Sequence, residues 1–246
     1  MAHYKLTLAY DGSNFVGSQK QANARTVQGE LENALRKIGW NATSILMAGR
    51  TDAGVHAIGQ VAAFDFSEWN QNPEKLLKAI NAKLPSDIAI KKLQIAKPEF
   101  HPRFDAVSRT YQYRLFYNPV RDPLREKFAW RVRAKFDEES LKECASLFLG
   151  KHDFSAFGSK TSPDGTTIRT ITKCQWRKKP QGEWQFEVSA DAFLYRMVRR
   201  MVHVQVSFAQ GKCSLKDVRD AVSNKKVNLP SGLAPAHGLT LVEVEY

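Results

Sequence analysis

The sequence predicts an α+β protein made of two ferredoxin-like βαββαβ halves. These join edge to edge into one wide, pseudosymmetric antiparallel sheet with helices on one face and the other face open to a large ligand. Three observations predict it. Hydrophobic period alternates between two and 3.6 residues in the order strand, helix, strand, strand, helix, strand. That order recurs in the second part of the chain with additions. The periodicity breaks near Pro98 to Arg103, where two prolines fall among mixed charges, setting the halves at residues 1–100 and 101–246. The halves share element order rather than residue identity, and an open sheet face suits a large partner.

Residues 4–10 alternate as a strand. Thr26 is placed to cap a helix whose Val27, Leu31, Ala34, Leu35 and Ile38 share one face, and Gly39 ends it. A short strand at Ile45 to Met47 leads to a turn at Asp52, and His56 to Phe66 reads as the returning strand. Asn72-Pro73 starts a helix carrying Leu76, Leu77, Ile80 and Leu84, Pro85 stops it, and Ile88 to Ile95 closes the half as a strand. In the second half, Arg109 to Tyr117 reads as a strand, with an extra strand near Phe128 to Val132. Asp137 caps a helix with Leu141, Cys144, Ala145, Phe148 and Leu149 inward. Strands at 168–178 and 183–190, a helix from Phe193 to Gln210, a short helix begun by Ser214 and a strand from Leu239 to Val244 complete the pattern.

The 246 residues are 43% hydrophobic and 25% charged, an ordinary globular composition. Lys and Arg number 37 against 25 Asp and Glu, and the resulting +12 favours nucleic acid or another anionic surface as partner. Three scattered cysteines, Cys144, Cys174 and Cys213, exclude a disulfide framework and a Cys-x-x-Cys metal knuckle. No signal peptide and no bilayer-length apolar run is present, so a cytoplasmic protein that does not engage a membrane is expected. The six histidines form no metal-binding spacing. Ser18-Gln19 stands where a phosphate-binding loop needs Lys and Ser or Thr, and no Gly-x-Ser-x-Gly elbow occurs.

Three stretches carry chemistry. In Ala48-Gly49-Arg50-Thr51-Asp52-Ala53-Gly54-Val55-His56-Ala57 a single carboxylate sits on a glycine-bracketed turn beside an arginine. Asp52 there reads as an Asx-type cap or as a nucleophile or base, since the glycines permit close approach of a ligand and Arg50 is available to the carboxylate. In Ser108 to Tyr117, the alternation puts Tyr111, Tyr113, Leu115 and Tyr117 on one strand face among arginines, the composition of a packed sheet or of a base-stacking platform. After Asp191, Leu194, Met197, Val198 and Met201 form an apolar stripe, while Arg196, Arg199, Arg200 and His203 recur at helical spacing as a basic stripe for solvent or phosphate.

The Tyr10-Asp11-Gly12-Ser13-Asn14-Phe15-Val16-Gly17 run, Val27-Gln28, the Gly49 to Ala57 run and Gly59-Gln60 resemble the tRNA pseudouridine synthase A family. The resemblance continues in order through Arg103-Phe104, Arg109 to Tyr113, His152-Asp153-Phe154 and Arg169-Thr170. Phe193 with Met197-Val198-Arg199, and Ala234-Pro235-Ala236 with Gly238-Leu239, complete it over essentially the whole chain. It implies isomerisation of uridine to pseudouridine at nucleotides 38, 39 and 40 of the tRNA anticodon stem-loop, by a homodimer with an RNA-binding cleft. No cofactor is implied, because the reaction conserves atoms without net redox change. Asp52 is implied as the catalytic residue, Arg50 as its neighbour in orienting and neutralising it, and Tyr111 as the ring that stacks on the target base. Arg199 would contact RNA where the base is flipped, Leu239 would pack on the uracil, and Arg109, Arg196 and Arg200 would bind RNA. An RNA-binding module with a structural Asp52, or a synthase acting on another RNA, are the alternatives. Two positions depart from the family pattern: Ser18 stands where a tryptophan usually follows Gly17, and His203 where a glycine is common in the long helix. Neither is expected to touch the Asp52 motif.

Overall fold

The computed structural model describes residues 3–69 and 71–246. The chain is α+β with mostly antiparallel strand pairing, and it divides into two compact units. One comprises the chain up to Val107 with Thr240–Tyr246, and the other is Ser108–Leu239.

In the first unit, β1 (His3–Tyr10) is followed by α1 (Val27–Arg36), β2 (Leu46–Met47), β3 (His56–Asp65), α2 (Pro73–Asn81) and β4 (Ile88–Ile95). β1 lies between β3 and β4, antiparallel to both, and β2 pairs with the far side of β3. Alternation along β1 sends Tyr4, Leu6, Leu8 and Tyr10 into the core and leaves Lys5, Thr7 and Ala9 half-buried on the opposite face. Thr26 caps α1 by accepting the Gly29 amide at 3.2 Å, and Val27, Leu31, Ala34 and Leu35 are buried as their spacing predicts. Ile38 falls beyond the helix and is half-buried, and Gly39 takes the left-handed conformation that turns the chain away. Asn72 caps α2 by accepting the Lys75 amide at 2.9 Å.

That second helix stops at Asn81, before Leu84. The Asn81 side chain takes up the position of a peptide, accepting from Ile90 N–H at 2.8 Å and donating to Ile90 O at 3.0 Å. It thereby staples the helix end to β4. A feature hidden from periodicity is Glu32, fully buried on α1, whose carboxylate accepts from Lys20 Nζ at 2.7 Å, Gln28 Nε2 at 3.0 Å and Ser44 Oγ at 3.1 Å. Burial alone would raise this carboxyl, but those donors hold it below the ordinary range.

The second unit runs β5 (Ser108–Tyr117), β6 (Trp130–Val132), α3 (Glu138–Ser146), β7 (Gly150–Asp153), β8 (Ile168–Lys178), β9 (Glu183–Ala190), α4 (Met197–Ala209) and α5 (Leu215–Val222). The antiparallel ladder runs β5, β9, β8, β7, with β6 parallel to β5. Its core includes Tyr113, Leu115, Phe116, Phe148, Phe154, Phe157 and Phe186. α3 is capped by Asp137 and α5 by Ser214, the latter in a reciprocal capping box with Asp217.

Three differences from the sequence reading have local causes. β7 is unforeseen: its four residues, Gly-Lys-His-Asp, carry no apolar alternation, and Leu149 just before it is exposed rather than inward. α4 begins at Met197, not Phe193. Tyr195 exchanges backbone hydrogen bonds with Ser159 (2.9 and 3.3 Å), which holds this stretch extended, and Arg196 has φ 63°. Arg196 therefore lies outside the helix and outside the basic stripe expected there. Finally, β10 (Leu239–Glu245), counted with the second half by element order, runs parallel to β3 through Thr240–His56 and Leu241–Ala57.

Candidate active site

The Asp52 turn is held by the segment that follows β1. Asp11 caps a short 3₁₀ turn by accepting the Ser13 amide at 3.0 Å, and the chain then passes under residues 51–55 with backbone against backbone. A Cβ on Gly12 would collide with the Val55 carbonyl, and one on Gly17, at φ 89°, would lie 2.9 Å from Thr51 O. Gly54 N–H donates to Phe15 O at 3.3 Å, and Val55 N–H closes the turn on Asp52 O at 3.1 Å. Gly12 N–H also donates to His56 Nδ1 at 3.0 Å. Asp11 Oδ1 lies 3.2 Å from the same nitrogen.

Thr51 is the best-anchored residue of the turn. Its amide donates to Ser18 Oγ at 2.8 Å, its carbonyl accepts from Ser18 N–H at 3.1 Å, and its hydroxyl shares a 2.8 Å hydrogen bond with the Tyr10 hydroxyl. Burial pushes the Tyr10 phenol up to about 12, against the opposing effect of its hydrogen bonds to Thr51 and Gln60, so it is neutral at physiological pH. Gln60, fully buried on β3, donates to Gly49 O at 3.0 Å at the other end of the loop. The β1–β3 register shifts between Leu8 and Tyr10, beside this loop. Asp52 thus projects from a backbone with little freedom, at intermediate exposure. Arg50 is exposed.

In the second unit, Tyr111 is half-buried on β5, opposite Val188, with its ring edge-on to Phe193 at 5.1 Å. Tyr113, on the same strand face, is a core residue. It is fully buried, donates to Pro235 O at 2.8 Å, and packs so closely on Gly238 that a Cβ there would meet its ring at 2.6 Å. Burial raises its phenol well above the ordinary value. Of the expected aromatic face, then, Tyr113 and Leu115 are packing, Tyr117 is partly exposed at the strand end, and Tyr111 is half-buried.

Arg199 Nε donates to Ala234 O at 2.8 Å while Ala234 N–H donates back to Arg199 O at 3.1 Å. Arg200 Nη1 donates to the carbonyls of Pro230 and Gly232. Both side chains fasten the segment before Pro235 to α4, a role the helical spacing did not reveal. Arg109 Nη1 donates to Asp191 O at 2.7 Å, Arg196 is exposed with its guanidinium 4.7 Å from the Tyr195 ring centre, and Leu239 is buried. Among the described residues no group of three or more His, Cys, Asp or Glu could hold a metal ion, and no helix is long and apolar enough to cross a membrane.

A sequence model described as tRNA pseudouridine synthase matches residues 7–105 and 144–246, well over half the chain. The chain belongs to the tRNA pseudouridine synthase family. It is therefore an isomerase. The tRNA pseudouridine synthase A of Methylacidiphilum infernorum is 44% identical over 99% of this chain and 95% of its own. That of Limosilactobacillus fermentum is 39% identical over 100% and 96%, and that of Acetivibrio thermocellus 38% identical over the full length of both. A chain in the crystal structure of a Cbf5-Nop10-Gar1 complex shares only 10% identity, at TM-score 0.39 over 97% of this chain and 49% of its own, a likeness too slight to bear on activity.

In this pseudouridine synthase the two departures from the family pattern behave differently. His203 packs on Gly232 within its own unit: a Cβ there would lie 2.9 Å from the imidazole, and burial lowers His203 below the ordinary histidine range. Ser18, against expectation, touches the Asp52 motif directly through Thr51. Tyr10, Ser18 and Gln60 are the supporting residues that sequence reasoning missed. One signal was available: Tyr10 is the last inward position of an alternating strand, and a buried phenol must find a partner.

Proposed function

We propose that this protein converts uridine to pseudouridine in the anticodon stem-loop of tRNA, at nucleotides 38, 39 and 40, with Asp52 as the catalytic residue. The observation that carries the reading is the Gly-Arg-Thr-Asp-Ala-Gly-Val-His run of a family member set on a braced turn with its carboxylate partly exposed. In the reaction the N1–C1′ bond breaks, the base turns and C5 bonds to C1′. The C5 proton is released and N1 gains one, so no cofactor is needed. Asp52 acts as nucleophile or base on the nucleoside, Arg50 contacts the substrate beside it, Tyr111 stacks on the target base, and Leu239 offers an apolar surface to the uracil. Arg199 contacts RNA near the flipped base, with Arg109, Arg196 and Arg200 as further RNA contacts. We read the element order of the chain as two ferredoxin-like halves, and the working form as a cytoplasmic homodimer.

The test of the chemistry is tritium release from tRNA carrying 5-tritiated uridine. Asp52→Asn is expected to bind tRNA as the parent does and to lose at least about a thousandfold in rate, as removal of a central catalytic group does elsewhere. An Asp52→Asn protein that releases tritium at the parental rate would refute the assignment. Pseudouridine mapping in cells with and without the gene tests the substrate, and an anticodon arm modified equally in both would exclude positions 38–40.

A further inference from the structure

Ser18 is the residue at which the segment after β1 meets the Asp52 turn. It is 1% exposed, and both its hydroxyl and its amide are spent on Thr51, the residue immediately before Asp52. The left-handed Gly17 brings it there, because only a residue without Cβ passes this close to the Thr51 carbonyl. With the Tyr10 hydroxyl on Thr51 Oγ1, the amide, carbonyl and side chain of Thr51 are all engaged. The Thr51 carbonyl lies on the peptide that enters Asp52 and the Thr51 amide on the peptide before it, so the Ser18 bonds fix the backbone on both sides of Thr51, and with it the direction in which the Asp52 side chain leaves the backbone.

We propose that the Ser18 hydroxyl is a positioning residue for the Asp52 carboxylate, acting through the Thr51 amide. The inference rests on the reading of Asp52 as the catalytic group. It concerns this chain in particular. The tryptophan usual in the family at this position has an N–H donor and no acceptor, so it cannot receive the Thr51 amide as a serine hydroxyl does. Without the acceptor the Thr51 N–H is left buried, and the turn relaxes by a fraction of an ångström to reach another partner. Displacements of about 1 Å at reacting groups cost on the order of a hundredfold in rate, so a smaller one is expected to cost about tenfold.

The experiment compares Ser18→Ala, Ser18→Cys and Ser18→Thr with Ile80→Val, a core change in α2 that serves as a stability control. Single-turnover and steady-state tritium release and Tm are measured for each. Ser18→Ala is expected to lower kcat about tenfold while KM for tRNA stays within about twofold. Ser18→Thr, which keeps the oxygen acceptor, recovers most of the rate, and Ser18→Cys, with a weak sulfur acceptor, falls between. Ile80→Val keeps the parental rate. Ser18→Ala turning over like the parent, or Ile80→Val slowing as much at equal loss of Tm, would overturn the proposal. If Ser18→Ala does not fold, Ser18→Cys decides, and a parental kcat there overturns it equally. Asp52→Asn is run alongside. An active Asp52→Asn removes the catalytic reading and this inference with it, whereas an inactive Asp52→Asn beside a fully active Ser18→Ala removes only the role of Ser18.

Discussion

The Tyr10 phenol shows how one side chain serves both core and site. Its ring fills the last inward position of β1 and its hydroxyl meets Thr51 Oγ1 at 2.8 Å. Tyr10→Phe keeps the ring and leaves the Thr51 hydroxyl with one buried partner fewer, at a cost of about 1–2 kcal/mol, or several degrees in Tm for a chain of this length. The same group makes stability sensitive to alkali. Its folded-state value near 12 lies above the ordinary 10, so the neutral phenol is favoured in the folded protein. Its contribution is complete below pH 10 and is lost as pH rises through 12, by about 2–3 kcal/mol. Chemical denaturation between pH 9 and 12 is expected to show the parent losing stability relative to Tyr10→Phe across that window. Parallel curves would mean that the phenol ionises as readily folded as unfolded.

At the scale of elements, the segment between β1 and α1 and the turn between β2 and β3 form one unit held by backbone contact, and glycine is its working residue. Gly12→Ala drives a methyl into the Val55 carbonyl, which belongs to backbone and cannot swing aside. The expected loss is about 3–4 kcal/mol with activity falling in step. Gly39→Ala is the contrast: at φ 98° with nothing within 4 Å, it meets only backbone strain, about 1 kcal/mol, and leaves activity intact. Thermal melts and tritium-release rates of the pair distinguish the two mechanisms, and equal losses would contradict them. These elements also mark what could be read in advance. The caps at Thr26, Asn72, Asp137 and Ser214 and the inward faces of α1 and β1 follow from local chemistry and period, and they stand in the structure. β7 did not follow, because its pairing with β8 is a property of the partner strand rather than of Gly-Lys-His-Asp. Nor did the start of α4, where Tyr195 is captured by Ser159, 36 positions earlier in the chain. Ser18 was legible as an oddity of sequence but not as a support for Thr51, since that contact spans 33 residues.

Across the whole molecule, net charge announced an anionic partner without naming it, and local chemistry left Asp52 undecided between a turn residue and a catalyst. The structure shows the turn is real, with Asp52 O closing it, so geometry alone does not separate the two roles; family membership supplies the chemical class. Charge nevertheless makes a prediction of its own. With 37 Lys and Arg against 25 Asp and Glu, binding of tRNA should be driven largely by release of counterions from the phosphates. Each phosphate neutralised contributes about 0.7–0.9 to the slope of log affinity against log salt. Five or so contacts would weaken binding by roughly 100- to 500-fold between 50 and 200 mM salt. Anisotropy titrations with labelled tRNA should show that fall, while kcat at saturating tRNA changes little, because the braced turn under Asp52 is held by short-range hydrogen bonds that salt does not screen. If the exposed Arg196, proposed above as an RNA contact, meets a phosphate, Arg196→Gln should reduce the slope by about one. A slope near zero would mean that the positive surplus has little part in holding RNA, and an unchanged slope in Arg196→Gln would remove that residue from the RNA contacts.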